Sequence, residues 1–393
     1  MITSIFSAAL LFFSAEFISI KIFHNSELTI FLKAFSFLIP LGIFSSIFLS
    51  VIRAYEKISE YSFIFNIFQT FVKVLLLYLF ILFGLKSNSI IFSWVLGVFF
   101  VLIASYYYCK VKLPEVFGKT NLRKLQRKEI FREMFSYSWP VMFFSILASI
   151  FYWVDSFAIG YFKGAAEVGF YNAALPLAAI ITISSEIFIQ LFFPMINRHY
   201  ALGKRDLIKN LSKQVSKWIW IINMPLLAIM IVFPGTIINV FFGAEYLVAM
   251  NSLRILSISV LFYSIFVISN NLLSMIGKSK LILLDILVAS FLNILLNFVL
   301  VPMPSVFGIN NSLGIVGAAI ATMISVIFLN LLFMFQAKHY LSIIPIKKEM
   351  IKILLITFIL TTGIYFVKSS VQITPTSLIV FGVFFFLVYF LLI

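Results

Sequence analysis

Long apolar runs, separated by short polar segments, follow one another along the entire chain. A helix that crosses the hydrocarbon core of a bilayer needs about 20 mostly apolar residues. The pattern therefore predicts an all-α polytopic membrane protein with about twelve transmembrane helices. The predicted helices cover residues 2–20, 30–52, 61–84, 88–109, 136–160, 167–191, 218–241, 250–275, 281–301, 312–337, 352–368 and 376–393.

Composition supports a chain that has lipid as its solvent. Hydrophobic residues make up 63% of the sequence, charged residues only 11%, and the mean hydropathy is +1.13. A soluble domain carries about 25% charged residues. The 49 phenylalanines suit a surface that faces acyl chains.

Few residues offer metal or redox chemistry. The single cysteine, Cys109, excludes an internal disulfide and a cysteine metal site. His24, His199 and His339 all lie near predicted helix ends. We find no nucleophile and base arrangement and no glycine-rich phosphate loop, so we expect neither an enzyme nor an ATP-driven pump, and no cofactor or metal.

The positions of the charges, more than the net charge of +15, indicate the partner. Counted with the adjoining helix ends, the loops after every second predicted helix hold 22 Lys and Arg residues, whereas the alternating loops hold five. Cytoplasmic loops of membrane proteins are enriched in Lys and Arg. The bias predicts a multi-pass protein of the plasma (inner) membrane with both termini in the cytoplasm, and it argues against nucleic acid as a partner.

A weak internal repeat, with an offset near 220 residues, indicates two related halves. The segment 13–23 resembles 233–242, and Arg53–Lys57 resembles Ser274–Lys278. The first four helices then correspond to the seventh to tenth helices, and two helices have no counterpart before Met1. We therefore expect an N-terminally truncated form of a protein with fourteen helices.

The repeat and the polar segments predict four regions. An incomplete N-terminal lobe of four helices spans 1–109, and a basic cytoplasmic loop spans 110–135. A six-helix lobe spans 136–337, and an added helix pair spans 338–393. With the full complement of helices, the lobes would be pseudo-symmetric about an axis along the membrane normal.

Five short segments carry a family resemblance. They are Tyr137–Pro140, Asp155–Gly160, Val168–Ala174, Arg53–Lys57 and Gly314–Ala319. Together they resemble the polysaccharide exporters, and in particular the O-antigen-flippase-like branch of the multidrug/oligosaccharidyl-lipid/polysaccharide superfamily. The resemblance covers nearly the whole chain.

This resemblance implies a V-shaped, two-lobe transporter that works by alternating access. It implies a polyprenyl-diphosphate-linked oligosaccharide, such as an O-antigen unit for lipopolysaccharide, as cargo moved from the cytoplasmic to the outer leaflet. The expected partners are this lipid-linked oligosaccharide, membrane lipids, H⁺ or Na⁺ as coupling ion, and other polysaccharide-assembly proteins. The two absent helices help to line the cavity in that family.

Polar stripes on three predicted helices are candidates for a hydrated path, because a diphosphate and sugars cannot cross hydrocarbon unaided. Residues spaced by three, four or seven positions share a helix face. The stripes comprise Ser138, Ser145, Ser149, Tyr152 and Ser156 on 136–160; Asn172, Ala179, Glu186 and Gln190 on 167–191; and Arg254, Ser257, Ser264 and Asn271 on 250–275. The alternative is hydrogen bonding between helices.

Four charged residues inside helices have candidate roles. Arg254 and Lys73 are candidates for binding the cargo phosphate. The alternative for Arg254 is that it reaches the outer interface. Asp155 and Glu186 are candidates for binding H⁺ or Na⁺, or each pairs with a neighbouring cation.

Prolines inside three helices are candidates for bends used in transport, since a proline cannot donate to the carbonyl four residues earlier. They are Pro176, Pro40 and Pro225. Prolines also kink membrane helices without a specific function.

Three rival functions stay open on the sequence alone. The first is a cation-coupled multidrug exporter of the same superfamily. The second is a membrane-embedded glycosyltransferase or polymerase, although the predicted non-cytoplasmic loops are short for such an enzyme. The third is a non-functional remnant of a truncated gene.

Overall fold

The structure, a computed structural model, describes residues 2–118, 124–368 and 375–392. Nearly all of the described residues are helical. The α-helices are α1 Ile2–Phe17, α2 Leu28–Ser36, α3 Leu38–Ala54, α4 Ile58–Ser62, α5 Gln69–Leu82, α6 Asn88–Lys112, α7 Lys124–Phe162, α8 Ala165–Ala179, α9 Thr182–Ala201, α10 Arg205–Val232, α11 Pro234–Phe242, α12 Met250–Met275, α13 Ser279–Leu300, α14 Ile315–Leu341, α15 Glu349–Lys368 and α16 Pro375–Leu392.

Short elements of other kinds connect or extend these helices. The segments Ile18–Ile22 and Phe63–Phe68 are π-helical, and Pro114–Phe117 and Ala244–Ala249 are 3₁₀-helical. Strands β1 Ser305–Val306 and β2 Ile309–Asn310 form a small antiparallel hairpin.

Ten helices among the described residues are long and apolar enough to cross a membrane, and the number is eleven if the bent pair α8 and α9 forms one span. Helix α16 coincides with the last predicted span, 376–393, and is not among these. The predicted fold class, an all-α multi-pass membrane protein, is confirmed.

Helix α7 begins earlier than predicted. The apolar run predicts a start at 136, whereas the helix starts at Lys124 and continues without a break to Phe162. Its first turns are rich in charged residues, so a search for apolar residues detects only the part that suits lipid. Part of the predicted loop 110–135 is therefore helical, while residues 119–123 lie outside the described part of the chain.

The predicted helix 167–191 is two helices. Helices α8 and α9 meet at Ile180 and Ile181 with a bend of 46°. Pro176 lies inside α8, four residues before the break. It leaves the carbonyl of Asn172 without a backbone donor, and Asn172 lies before the proline, away from the break. No Gly or Pro marks the break itself, which explains why the sequence pattern predicts a single helix.

The other two candidate bends differ from each other. Pro40 is the third residue of α3, and the chain is interrupted at Phe37, between α2 and α3. Helix α10 continues through Pro225 to Val232. A helix can absorb a proline when neighbouring groups satisfy the freed carbonyl.

The chain divides into two compact units, Met1–Arg132 and Glu133–Ile393. In the first unit, α6 contacts α2, α3 and α5. Its core includes Leu49, Ile52, Val101 and Cys109, and the Cys109 side chain is fully buried with its Sγ 3.6 Å from the carbonyl oxygen of Phe48.

In the second unit, α12 is the central helix and contacts α8, α9, α10, α13 and α14. The C-terminal helices pack on α10 through two hydrogen bonds to backbone. The Trp220 indole donates to the carbonyl of Met350 at 3.1 Å, and the Tyr389 hydroxyl donates to the carbonyl of Ile221 at 2.9 Å. A polar tip that finds a backbone partner is usual for buried Trp and Tyr.

Candidate functional site

A buried carboxylate lies at the meeting point of four helices of the second unit. Asp155, on α7, is only 4% exposed. The Tyr171 hydroxyl of α8 donates to its Oδ2 at 2.6 Å, and the Asn297 amide of α13 donates to its Oδ1 at 2.7 Å. The Thr322 hydroxyl of α14 also donates to Oδ2. Three donors from three other helices thus hold one carboxylate.

A further amide extends this polar cluster. Asn293 lies one turn before Asn297 on α13, and both side chains are fully buried. Asn293 donates to the Thr322 hydroxyl at 3.3 Å, and its side-chain oxygen accepts from Asn297 at 3.2 Å. We define the Asp155 cluster as Asp155, Tyr171, Asn293, Asn297 and Thr322.

The cluster lies near one end of its helices. Asp155 is seven residues from the end of α7, and Thr322 is seven residues from the start of α14. With a rise of 1.5 Å per residue, both are about 10 Å from the helix ends.

A glycine allows the close approach of α13 and α14. A Cβ on Gly317 would lie 2.4 Å from the carbonyl oxygen of Leu300, at the end of α13. The Gly317 amide donates to the Asn311 side chain at 2.7 Å. Gly317 is five residues before Thr322, so this contact sets the position from which the threonine reaches Asp155.

The arrangement suits reversible binding of a proton or a small cation. An ionised carboxylate in a low-dielectric bundle is costly unless a charge or hydrogen bonds compensate it. Among the described residues, ion pairs are formed by Lys217 and Lys347, both with Glu349, and none involves Asp155. The buried Oδ1 of Asn297 has no hydrogen-bond donor. A proton on Asp155, or a cation bound beside it, would compensate the charge of the carboxylate. A cation would also give the Asn297 Oδ1 a partner.

Four other candidates on α7 lie at the surface of the second unit, whereas Ser156 is half-buried. Ser138, Ser145 and Ser149 are exposed, and Tyr152 is 62% exposed. Asp155 is turned away from this stripe into the bundle. The structure therefore separates the predicted stripe into an exposed serine face and a buried acidic residue.

Candidates on the predicted helix 167–191 separate in the same way. Asn172, in α8, is half-buried and accepts a hydrogen bond from Ser156 at 3.1 Å. Glu186 and Gln190, in α9, are exposed, as is Ala179 at the end of α8. Asn172 thus lies close to the Asp155 cluster, whereas Glu186 lies beyond the bend.

The two candidate serines of α12 face the core. Ser257 is fully buried and donates to the Leu253 carbonyl at 2.7 Å. Ser264 is fully buried and accepts from Asn223 of α10 at 2.8 Å, while Asn223 accepts from Ser184 of α9 at 2.5 Å. These contacts fit hydrogen bonding between helices. The half-buried Asn271 donates to the Val267 carbonyl of its own helix at 2.8 Å.

Arg254 is half-buried and binds the end of α10. Its Nε donates to the Ile231 carbonyl at 3.0 Å, and one Nη donates to the Asn251 side chain at 3.1 Å. The last carbonyls of a helix have no partner within the helix. Arg254 therefore satisfies one of the final carbonyls of α10.

Lys73 lies in the first unit and is held by three neighbours. Its Nζ is 4.0 Å from the centroid of the Trp94 ring, and the Gln69 side-chain oxygen, with the amide oriented to accept, is 3.0 Å from it. The stem packs on Gly97, where a Cβ would lie 2.5 Å from the lysine Cγ. A cation over an aromatic face in a desolvated place is stabilised by about 2 kcal/mol.

The sequence indicates Asp155 as a candidate but does not indicate its partners Tyr171, Asn293, Asn297 and Thr322. One signal is available in the sequence, since Asn293 and Asn297 stand four residues apart in the mainly apolar α13. Residues with this spacing share a helix face, and amides inside a membrane helix usually find a polar partner. No local pattern connects them to α7.

The chain is similar to known proteins in sequence and in fold. Residues 1–251, more than half of the chain, match the family described as polysaccharide biosynthesis protein. The chain belongs to this family. The family predicted from the five short segments is thereby confirmed.

Two curated relatives come from archaea. An uncharacterised membrane protein of Methanocaldococcus jannaschii is 27% identical over 293 residues, which cover 74% of this chain and 56% of the relative. A probable low-salt glycan biosynthesis flippase, Agl15 of Haloferax volcanii, is 26% identical over 306 residues, which cover 77% of this chain and 60% of the relative. The chain thus spans somewhat more than half the length of these relatives.

A solved structure shares the fold. The lipid II flippase MurJ, in an inward closed conformation, superposes with a TM-score of 0.76 at 16% sequence identity. The superposition covers 99% of this chain and 80% of MurJ. The likeness shows that the two chains share a helical architecture.

Proposed function

We propose that this protein is a membrane transporter that flips a polyprenyl-diphosphate-linked oligosaccharide from the cytoplasmic to the outer leaflet by alternating access. An O-antigen or another surface polysaccharide unit is the proposed cargo, and the plasma (inner) membrane is the proposed location. Membership of a polysaccharide biosynthesis family and the likeness to a probable glycan flippase support this function. The bias of 22 against five basic residues supports cytoplasmic termini.

One observation carries the mechanism: the carboxylate of Asp155 is buried inside a membrane-spanning bundle and receives hydrogen bonds from three other helices. Intramembrane acidic residues commonly form ion and proton pathways in transporters. Binding of H⁺ or Na⁺ at Asp155 would change the charge at the junction of α7, α8, α13 and α14, and this change supplies the coupling to transport.

Transport of the proposed cargo needs polar contacts along the path. The proposed contacts for sugar hydroxyls in the second unit are the exposed Ser145, Ser149 and Tyr152 of α7 and the half-buried Asn172 of α8. Lys73 and Arg254 stay the proposed contacts for phosphate. Both already have protein partners, so a phosphate would have to exchange with those partners.

The test measures flipping of a fluorescent polyprenyl-diphosphate-linked saccharide by the full chain in proteoliposomes, under a proton or a sodium gradient. We expect Asp155→Asn to reduce gradient-driven flipping to about a tenth or less, because an amide cannot take up a proton and lacks the negative charge that attracts Na⁺. Asp206→Asn is the matched control, since Asp206 is an exposed residue of the first turn of α10.

The two possible failures differ. A wild-type chain that moves no lipid-linked saccharide under either gradient would contradict the proposed function. A wild-type chain that moves it, with Asp155→Asn equally active, would contradict the role of Asp155 alone.

A further inference from the structure

A cavity of about 510 Å³ opens in the first unit, between the start of the span Ile58–Leu82 and the last turns of α6. Pockets that hold small molecules typically measure about 300–1,000 Å³. The wall is mainly apolar and includes Phe63 and Ala104, and two charged side chains, Glu60 and Lys112, also line it. Neither the Asp155 cluster nor the candidate transport residues contribute to this cavity.

The cavity is polar at one end and apolar at the other. Glu60 is the third residue of α4, and Lys112 is the last residue of α6. Phe63 follows Glu60 by about one turn, and Ala104 precedes Lys112 by about 12 Å at 1.5 Å per residue. The charged groups therefore mark the membrane boundary, and the apolar residues lie deeper. This polarity matches an amphiphilic molecule oriented like the surrounding lipid.

The charge bias of the loops indicates which boundary this is. Arg53 and Lys57 lie between α3 and α4, and Lys110 lies in the last turn of α6, beside the cavity. Basic residues cluster on the cytoplasmic side of membrane proteins. The cavity is therefore accessible to lipids of the cytoplasmic leaflet.

The two charges are available separately. Glu60 and Lys112 form no ion pair with each other, and the ion pairs among the described residues both end on Glu349. The Tyr108 hydroxyl donates to Oε1 of Glu60 at 3.3 Å, which fixes the carboxylate and leaves it able to accept further hydrogen bonds. Lys112 is exposed at the mouth. One cavity thus offers a negatively charged hydrogen-bond acceptor, Glu60, and a positively charged hydrogen-bond donor, Lys112.

This pair of charges distinguishes lipid classes. A headgroup with a primary ammonium and a phosphate carries one charge that complements Glu60 and one that complements Lys112. An anionic headgroup without an amine would place negative charge near Glu60. A trimethylammonium headgroup carries the positive charge but has no N–H to donate to the carboxylate.

The backbone beside the cavity is unusual. Residues Phe63–Phe68, between α4 and α5, are π-helical. Single π-helical turns inside α-helices occur frequently at functional sites. Here the wider turn contributes two residues to the cavity wall, Phe63 and Ile64. Ile64 is buried, whereas Phe63 is 54% exposed.

We propose that this cavity binds an aminophospholipid of the cytoplasmic leaflet, with its primary ammonium at Glu60, its phosphate at Lys112 and the start of an acyl chain against Phe63 and Ala104. Such a lipid would seal the cytoplasmic end of the first unit. The proposal goes beyond the proposed transport and does not depend on it.

The test uses the full chain, purified in detergent and titrated with phosphatidylethanolamine, phosphatidylcholine or phosphatidylglycerol, with bound lipid counted by native mass spectrometry. We expect the ethanolamine lipid to bind most tightly. Glu60→Gln and Lys112→Gln should each weaken its binding about tenfold or more, because each removes a charge-assisted hydrogen bond.

Matched controls lie close to the cavity without lining it. Glu56→Gln and Lys110→Gln change the same charges at exposed positions and should alter binding by less than about twofold. Ala104→Phe fills the apolar part without changing charge and should also block binding. Thermal unfolding of each variant in the same detergent verifies that it is folded.

Three outcomes would overturn the proposal. They are tighter binding of phosphatidylglycerol or phosphatidylcholine than of phosphatidylethanolamine, binding that is unchanged in Glu60→Gln, Lys112→Gln and Ala104→Phe, and the absence of any retained phospholipid. None of these readouts involves flipping, so they are independent of the test of transport.

Discussion

Asn297 donates its side-chain amide to Oδ1 of Asp155 at 2.7 Å, across 142 positions of sequence. The bond joins α13 to α7, and the same amide also contacts Asn293 on its own helix. Asp155 is thereby connected to a polar face that runs along α13. This contact explains how an acidic residue is retained inside the bundle, because its charge is shared among oriented dipoles.

Replacement of Asn297 by leucine should destabilise the second unit. The change removes a donor from the buried Asp155 carboxylate, and we expect a loss of about 1–3 kcal/mol in the free energy of unfolding. Unfolding in mixed micelles measures it. Asn271→Leu is the control, since Asn271 is half-buried and, within the described part of the chain, donates to the Val267 carbonyl of its own helix, and its effect should stay below that of Asn297→Leu. Equal losses would show that the hydrogen bond from Asn297 to Asp155 does not contribute measurably to the free energy of unfolding.

Tyr171→Phe should also be costly, and its cost should depend on Asp155. The hydroxyl donates to Oδ2 at 2.6 Å and is fully buried, so we expect a loss of about 1–3 kcal/mol. In an Asp155→Asn background the loss should differ by at least about 0.5 kcal/mol, because groups in contact are not additive. The exposed Tyr152→Phe should change stability by less than about 0.5 kcal/mol. Full additivity of the first pair would contradict the cluster.

Gly317→Ala should disturb the contact between α13 and α14. The new Cβ would lie 2.4 Å from the carbonyl oxygen of Leu300, and backbone must move to admit it. We expect a loss of about 1–3 kcal/mol in unfolding experiments. Gly363→Ala in α15 is the control, since nothing lies within 4 Å of its added Cβ. It should leave stability unchanged or raise it by about 0.5–1 kcal/mol. A harmless Gly317→Ala would show that the helices can separate freely.

Arg254→Ala distinguishes a structural role from a role in cargo binding. Because Arg254 donates to the Ile231 carbonyl and to Asn251, we expect a loss of about 1.5–3 kcal/mol in unfolding free energy. The exposed Arg198→Ala should change stability by less than about 0.5 kcal/mol. Unchanged stability, together with lost flipping in proteoliposomes, would instead assign Arg254 to the cargo.

Apolar runs located the spans well, because lipid imposes a length on each of them. The predicted helix 250–275 coincides with α12, Met250–Met275. Apolar runs do not predict the first turns of α7, because these turns are polar. They do not predict the bend at Ile180 either, because no Gly or Pro interrupts the apolar sequence there. The hairpin between α13 and α14 is also not predicted, because its strands have only two residues each.

The candidate site was predictable only in its central residue. Asp155 stands out as an acidic residue in an apolar run, and that is a local property of the sequence. Its partners Tyr171, Asn297 and Thr322 reach it from three other helices, and such neighbours depend on packing, which no spacing rule supplies. Ser257 and Ser264 of α12 stand seven residues apart, as do Ser138 and Ser145 of α7, yet the first pair is buried and the second pair is exposed.

The burial of Cys109 has a practical consequence for following this molecule in motion. The only thiol of the chain is enclosed in the core of the first unit, out of reach of water-soluble maleimides. Spin labels or fluorophores can therefore be attached at introduced cysteines on the natural background, for example at the exposed Ser145 and Ser149 positions.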